Sequence, residues 1–242
     1  MRRMPMRMRV GTSGFAYKEW RPSFYPEELP DAKMLDYYAK RFDTVEINNT
    51  FYRMPKASML QNWTKQVGSD FSFVLKAVTY LVSMKDAEKR ASATQAFFET
   101  AKAMGKSLGP VLVQLPHTLE KDLDRLRALF ELVPNDVRIA LDVGRASWLA
   151  EDTYALLRER GASLCIVDDP NKKVPIVPTA RWGYVRLRGV EYKRGELDAW
   201  VTRILEQPWE EVFVFFKHED AATGPKLGAQ FKKLFAARAS RR

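Results

Sequence analysis

The sequence predicts an α/β fold of the TIM type, in which one domain forms a parallel eight-stranded (β/α)8 barrel. Three observations support this: eight short β-like runs, a helical or mixed segment after each run, and a length of 242 residues. Strands that alternate with helices form a parallel sheet, because parallel neighbours need a crossover connection. Eight such repeats in this length suit a closed barrel. An open doubly wound sheet is the alternative, but the sequence contains neither a G-x-G-x-x-G after the first run nor a P-loop.

The eight predicted strands are short runs rich in aliphatic and aromatic residues. They span 8–12, 44–48, 71–76, 111–115, 138–142, 163–168, 184–188 and 212–216. Between several of them, apolar residues recur at helical spacing, as Leu197, Trp200 and Val201 do. The connection at 168–183 contains three prolines and no apolar stripe. We interpret it as a loop with at most a short helix.

The net charge of +10 is concentrated at the two ends of the chain. Seven arginines lie within the first nine and last five residues, and without them the net charge is +3. We therefore predict a disordered basic tail over 1–7, the barrel over 8–237 and a second basic tail over 238–242. Such tails weaken any inference of nucleic-acid binding from the isoelectric point alone.

The chain has one cysteine, Cys165, which excludes a disulfide framework and suits a reducing cytoplasm. No run of 18 apolar residues is present, so no membrane span is predicted. With only two histidines, a multi-zinc site is poorly supplied. A magnesium or manganese site of acidic residues has no supporting spacing. We assign no metal ligands, and the cofactor is unknown.

Barrels of this type carry their working site at the C-terminal ends of the strands. Glu46, Lys76 and Arg186 interrupt or end apolar strands, where a charge is unfavourable unless it is paired or functional. Because Glu46 alternates with Val45 and Ile47, we expect it to point into the barrel. The alternative for polar strand ends is a helix cap or a salt bridge at the rim.

Candidate proton carriers are the acidic groups and one histidine at strand ends: Glu46, Asp142, Asp168 and His218. Candidate substrate-binding residues are the other polar and aromatic groups there: Ser13, Tyr17, Trp20, Asn48, Tyr52, Lys76, Gln114, Arg145, Arg186, Arg188 and Lys217. Arg186 and Arg188 lie two apart on a strand, so both point to one side and suit a phosphate or carboxylate clamp. The aromatic residues suit stacking on a base or sugar, or equally a hydrophobic plug.

Six motifs in order across nearly the whole chain carry a family resemblance: GTSGFAYKEW, FYP, TVEINNTFYRMP, LGPVLVQLP, YVRLRG and FVFFKHED. Together they resemble the YecE-like proteins of domain-of-unknown-function family 72 (DUF72). The resemblance implies a TIM barrel but no established activity. Matching motif positions are Gly11, Ser13, Gly14, Tyr17, Trp20, Glu46, Asn48, Phe51, Tyr52, Lys76, Gln114, Asp168 and Arg186. Similarity of this barrel to endonuclease IV suggests nucleic-acid binding, but only by fold analogy.

The sequence also departs from the family pattern at two places. Val82 and Ser83 stand where the family usually has Thr-His, and Asp142-Val143-Gly144-Arg145 replaces Glu-Phe-Arg-His. An arginine and two histidines are therefore missing, although Arg145 restores one charge a position later. The resemblance thus allows an altered substrate or loss of activity.

Three functions follow as hypotheses. The first is an enzyme for a phosphorylated or otherwise anionic small molecule or nucleotide, with Lys76, Arg186 and Arg188 binding the anion. Glu46, Asp142 or Asp168 would then be the general base. The second is a nucleic-acid-binding protein, and the third is a non-catalytic ligand-binding barrel. A small anionic ligand is the expected partner, with nucleic acid as the alternative; the sequence does not indicate an oligomeric state.

Overall fold

Eight parallel strands surround an interior that is apolar in its middle and charged at both ends. The computed structural model describes residues 5–51, 53–217 and 220–240. The strands are β1 Arg7–Thr12, β2 Thr44–Ile47, β3 Ser72–Lys76, β4 Leu108–Gln114, β5 Ile139–Asp142, β6 Ser163–Asp169, β7 Lys172–Lys173, β8 Trp182–Leu187 and β9 Glu211–Phe216. All eight predicted strands are confirmed within three residues at either end.

The sheet order is β1-β9-β8-β6-β5-β4-β3-β2, and every neighbour in this order is parallel. Between β1 and β2 the barrel closes through one parallel bridge, from Ser13 to Glu46. The backbone N–H of Gly14 also donates to the Glu46 carbonyl at 2.8 Å. The predicted α/β barrel of one domain is therefore confirmed, and its closure is nearly complete.

Helices follow the strands and bury their apolar stripes against the sheet. They are α1 Met34–Ala39, α2 Ala57–Thr64, α3 Tyr80–Ser83, α4 Ala87–Ala101, α5 Leu123–Glu131, α6 Glu151–Arg160, α7 Arg194–Leu205 and α8 Thr223–Ala239. Helix α7 buries the predicted stripe of Leu197, Trp200 and Val201. None of the described helices combines the length and the apolar composition that crossing a membrane requires.

The connection after β6 differs from the predicted loop. Its residues Lys172–Lys173 form the two-residue strand β7, which pairs antiparallel with the end of β6. No helix forms in this connection. A strand of two residues is too short to show alternation, so the sequence pattern does not reveal it.

The ordered barrel extends slightly beyond its predicted bounds at both ends. Arg7 is the first residue of β1 and pairs with Asp70, while Arg238 lies in α8 and pairs with Asp198. Residues 1–4 and 241–242 lie outside the described residues, so the predicted tails stay predictions.

The N-terminal end of the barrel is closed by a compact ionic cluster. Glu211 accepts hydrogen bonds from Arg9 Nε and Arg138 Nη1, each at 2.6 Å. Both guanidinium groups lie near the ring of Phe213. Burial raises the pKa of Glu211, but the hydrogen bonds from Arg138 and Arg9 outweigh it and lower the pKa below its ordinary value. Contacts at the N-terminal face of such a barrel contribute to stability, whereas the chemistry of such barrels lies at the opposite face.

The close approach of β1 and β2 predicts that a larger residue at Gly11 destabilises the barrel. A Cβ added at Gly11 would lie 2.0 Å from the Thr44 carbonyl oxygen, so the two strands would have to separate. We expect Gly11→Ala to lower the free energy of unfolding by about 1–3 kcal/mol, as overpacking does. Chemical denaturation measures this change. Gly68→Ala is the matched control because its Cβ would meet nothing within 4 Å; equal stability of the two variants would contradict the prediction.

Candidate functional site

Three buried charges meet inside the barrel near the C-terminal ends of their strands. Arg186 of β8 donates through Nη2 to Glu46 Oε1 of β2 at 2.7 Å. Through Nη1 it donates to Asp142 Oδ2 of β5 at 3.1 Å. The side chains of all three residues are at most 1% exposed. One guanidinium therefore bridges two carboxylates across the barrel, which its fork of donors allows.

Neutral side chains occupy further positions around the Glu46 carboxylate. The Tyr184 hydroxyl donates to its Oε2 at 2.6 Å, and the Ser13 hydroxyl donates to its Oε1 at 2.8 Å. Both Glu46 oxygens thus accept hydrogen bonds. Such satisfaction is what makes a buried charge tolerable.

The Asp142 carboxylate is equally well satisfied. Gln114 donates to its Oδ2 at 3.0 Å, and Lys172 Nζ donates to its Oδ1 at 2.6 Å. Lys172 comes from the short strand β7, whose hairpin places this lysine over the carboxylate. We refer to Glu46, Asp142 and Arg186 with these four partners as the charged network.

Opposing effects act on the two carboxylates. For both, burial raises the pKa, but the charge of Arg186 and further contacts outweigh it, so each pKa lies below its ordinary value. Hydrogen bonds from Tyr184 and Ser13 add to this for Glu46, and the charge of Lys172 adds to it for Asp142. A general base works best when its pKa is near the working pH. The arrangement therefore favours a positioning role for both acids over proton abstraction.

Lys76 is the last residue of β3 and lies beside the charged network. Its residue exposure is 8%, and its Nζ lies 3.8 Å from the centre of the Phe51 ring. Within the described part of the chain, no hydrogen bond or ion pair to this Nζ is found. Burial, and then the positive charge of Arg186, lower the pKa of Lys76 to about 8.

Among the described residues around Glu46 and Asp142, cations outnumber carboxylates. Arg188 is close enough for its charge to lower the pKa of Lys76 and of both carboxylates. Together with Arg186, Lys76 and Lys172, it gives four cations around two carboxylates. In proteins generally, a cleft lined by one sign of charge raises the local concentration of ions of the opposite sign.

Four predicted residues are placed away from this network. Asp168 faces the helices, where its Oδ2 accepts from Trp200 Nε1 and Tyr192 Oη, each at 3.0 Å. Trp20 is 1% exposed and packs against Phe24 and Tyr25. The remaining two are exposed: Arg145, which pairs with Glu120, and Lys217.

Two further predicted residues line a separate cavity of about 480 Å³ beside the loops after β1 and β2. Tyr17 and Asn48 contribute to its wall together with Phe15 and Trp63. Neither Glu46 nor Arg186 lines this cavity. Tyr52 and His218, also predicted for the site, lie outside the described residues.

Sequence reasoning missed two members of the network, Tyr184 and Lys172. Tyr184 lies two residues before Arg186 on the same strand, so alternation would have found it. Lys172 carries no signal, because it reaches Asp142 only through the hairpin. Among the residues that the structure describes, no group of three or more His, Cys, Asp or Glu side chains is arranged to hold a metal ion.

Comparison with known proteins agrees with the fold. The model of a family described as "Protein of unknown function DUF72" matches residues 9–242. The UPF0759 protein YunF of Bacillus subtilis is 22% identical, with 93% of each chain covered. The UPF0759 protein YecE of Escherichia coli K12 is 23% identical over 80% of this chain and 82% of its own.

Solved structures are similar at the level of the fold. A DUF72 family protein from Enterococcus faecalis has a TM-score of 0.81 at 20% identity, with 95% of each chain covered. A second, from Thermotoga maritima, has a TM-score of 0.76 at 24% identity over 95% of this chain and 99% of its own.

The charged network predicts a large effect of removing its arginine. Arg186→Met leaves two buried carboxylates without their counter-charge, so we expect unfolding to become easier by about 3–5 kcal/mol. Chemical denaturation measures this, with Arg145→Met as the exposed control, for which we expect about 0–1 kcal/mol. Adding Glu46→Gln and Asp142→Asn to Arg186→Met should regain most of the loss. A triple variant no more stable than the single variant would contradict the network's role.

The lowered pKa values also predict how stability depends on pH. A carboxyl whose folded pKa lies below its unfolded value, about 4, stabilises the fold fully above that value. This stabilisation is lost as the pH falls through the folded pKa. Denaturation curves between pH 7 and pH 3 should therefore show a steeper acid loss for the natural sequence than for the triple variant. Parallel pH profiles would refute the assignment.

Proposed function

Because this chain belongs to DUF72, a family described only as having unknown function, we propose its function from its own site: it binds a small anionic molecule at the C-terminal mouth of the barrel. The observation that carries this proposal is the surplus of cations around Glu46 and Asp142. Among the described residues, Arg186, Arg188, Lys76 and Lys172 are four cations around these two carboxylates. The anionic group is a phosphate or a carboxylate.

Arg186, at the centre of the charged network, positions the other charges of this site and does not contact the ligand itself. Arg186 is fully buried and already bridges two carboxylates, so it is not available as a free clamp. Its role is to hold the strands and their charges in one arrangement before binding. A preorganised set of charges in a low-dielectric place gains more from an anion than mobile surface charges do.

The proposed ligand contacts are Lys172, a partly exposed member of the charged network, and Arg188, which lies outside it. Lys172 Nζ binds Asp142 from the β7 hairpin, and its side chain keeps 33% exposure. Arg188 follows Arg186 by two residues, at the end of the same strand. A guanidinium can bind a phosphate or carboxylate through two parallel hydrogen bonds.

Turnover of this ligand is a further part of the proposal, and the departures from the family pattern bear on it. A Cβ at Gly144 would lie 2.5 Å from the Leu115 carbonyl oxygen, so the β4 loop occupies the place of any side chain there. Ser83 is exposed and donates to the Thr79 carbonyl. Neither position supplies an acid or a base. This supports either a reaction that other residues catalyse or a barrel that binds its ligand without converting it.

Ligand-dependent melting tests the binding proposal without a guess at the reaction. A panel of inorganic phosphate, nucleoside phosphates, sugar phosphates and dicarboxylates should contain compounds that raise Tm, since binding to the folded state alone stabilises it. Arg188→Gln and Lys172→Gln should each weaken binding of the best compound about tenfold or more, the size of one charge-assisted hydrogen bond. Isothermal titration measures this change.

The control is Lys233→Gln, which removes an exposed lysine of α8 and should leave the affinity unchanged. No response to any anion, or equal weakening by the control, would overturn the proposal. Binding of labelled single-stranded DNA that falls steeply with salt, without a response to small anions, would instead favour the nucleic-acid alternative.

A further inference from the structure

Among the described cations of the mouth, Lys76 is the one whose surroundings suit covalent chemistry. Lys172 Nζ already donates to an Asp142 carboxylate oxygen at 2.6 Å. Lys76 has no such partner within the described residues and instead faces the Phe51 ring. Its backbone is held at the end of β3, with its carbonyl accepting a hydrogen bond from Thr50 at 2.7 Å.

Charges reach Lys76 from three strands. Arg186 of β8 and Arg188, the residue after β8, disfavour the ammonium form of Lys76. Glu46 of β2 and Asp142 of β5 favour it. Both carboxylates are already engaged by Arg186, so burial and like charge prevail and the pKa is about 8. At pH 7 roughly a tenth of the Lys76 side chains are then neutral amines, against well under a thousandth for an ordinary lysine.

A neutral amine held among cations has a specific chemical use. Lysines that are desolvated or placed next to another cation act as nucleophiles toward carbonyl groups. The surrounding cations would at the same time bind an acidic group on the same molecule. Both properties together select a compound that carries a carbonyl and a phosphate or carboxylate.

We propose that Lys76 forms an imine with a small anionic aldehyde or ketone, such as an oxo acid or a sugar phosphate in its open-chain form. This inference rests on the proposed function, because the cations of the mouth position the carbonyl carbon near Lys76. It narrows the ligand from any anion to an anionic carbonyl compound.

The step is balanced without a cofactor or oxidant. The lone pair of neutral Nζ attacks the carbonyl carbon, a C–N bond forms, and the carbonyl π electrons move to the oxygen, which takes a proton from solvent. The nitrogen loses one proton to solvent, which gives a carbinolamine. Its hydroxyl group is protonated and leaves as water while the nitrogen lone pair forms the C=N bond, and the resulting iminium ion loses its remaining N–H proton to solvent. One amine and one carbonyl thus give one imine and one water.

Reductive trapping tests the inference on the full chain. The protein is incubated with glyoxylate, the smallest anionic aldehyde, and cyanoborohydride, which reduces an imine to a stable amine. We expect one adduct per chain at low glyoxylate concentration, and peptide mapping by mass spectrometry should locate it at Lys76. Lys76→Met should abolish this adduct, whereas Lys233→Arg should leave it unchanged.

The pH profile separates a nucleophile from a merely accessible lysine. The trapping rate at Lys76 should rise up to about pH 8 and then level, whereas an ordinary lysine continues to gain up to about pH 10.4. Adducts spread over exposed lysines with none at Lys76, or a profile that rises to pH 10, would overturn the inference. The mapping is made on the natural sequence, so the test stands even if Lys76→Met folds poorly.

Two further measurements distinguish this inference from the proposed function. If phosphate still raises Tm but no Lys76 adduct forms, the imine is refuted and anion binding stands. Propionaldehyde, an uncharged probe, completes the comparison. If it labels Lys76 as fast as glyoxylate and no anion raises Tm, the anionic substrate class is refuted together with the proposed function.

Discussion

The bridge from Arg186 to Glu46 and Asp142 is the interaction on which the upper half of this barrel depends. It joins β8 to β2 and β5, strands that are not neighbours in the sheet. Burying three charges is unfavourable unless each finds its partners, so the surrounding residues must supply them. Tyr184, Ser13, Gln114 and Lys172 do so, and their positions follow from this requirement.

The N-terminal and C-terminal ends of the barrel interior both contain paired charges, but the pairing differs between them. At the N-terminal end, Arg9 and Arg138 both donate hydrogen bonds to Glu211. Both guanidinium groups also lie near the Phe213 ring. At the C-terminal end, the described residues Lys76 and Arg188 add two positive charges near the carboxylates that Arg186 bridges. This difference is why the proposed ligand site is placed at the C-terminal end.

The sequence predicts the strands and the inward-facing residues of β2 because polar and apolar residues alternate along them. It predicts Glu46 and Arg186 because a charge in an apolar strand needs a partner. It misplaces Asp168 relative to the network, since the end of a strand does not reveal which side its last residue faces. Trp20 is similar: an aromatic in a loop packs inward or stays at the surface according to tertiary contacts that local pattern does not contain. Lys172 depends on a two-residue strand that leaves no pattern.

The same arginine has opposite consequences for the groups around it. Burial raises the pKa of Glu46 and of Asp142, and the charge of Arg186 opposes this and helps to hold both pKa values below the ordinary range. It also disfavours the ammonium form of Lys76, whose attraction to those carboxylates is thereby offset. Acids that are held ionised and hydrogen-bonded are poor proton acceptors, whereas a lysine with a pKa of about 8 exchanges protons near neutrality. For this reason we propose the amine of Lys76 as the reactive group, in place of the carboxylates that the sequence pattern indicates.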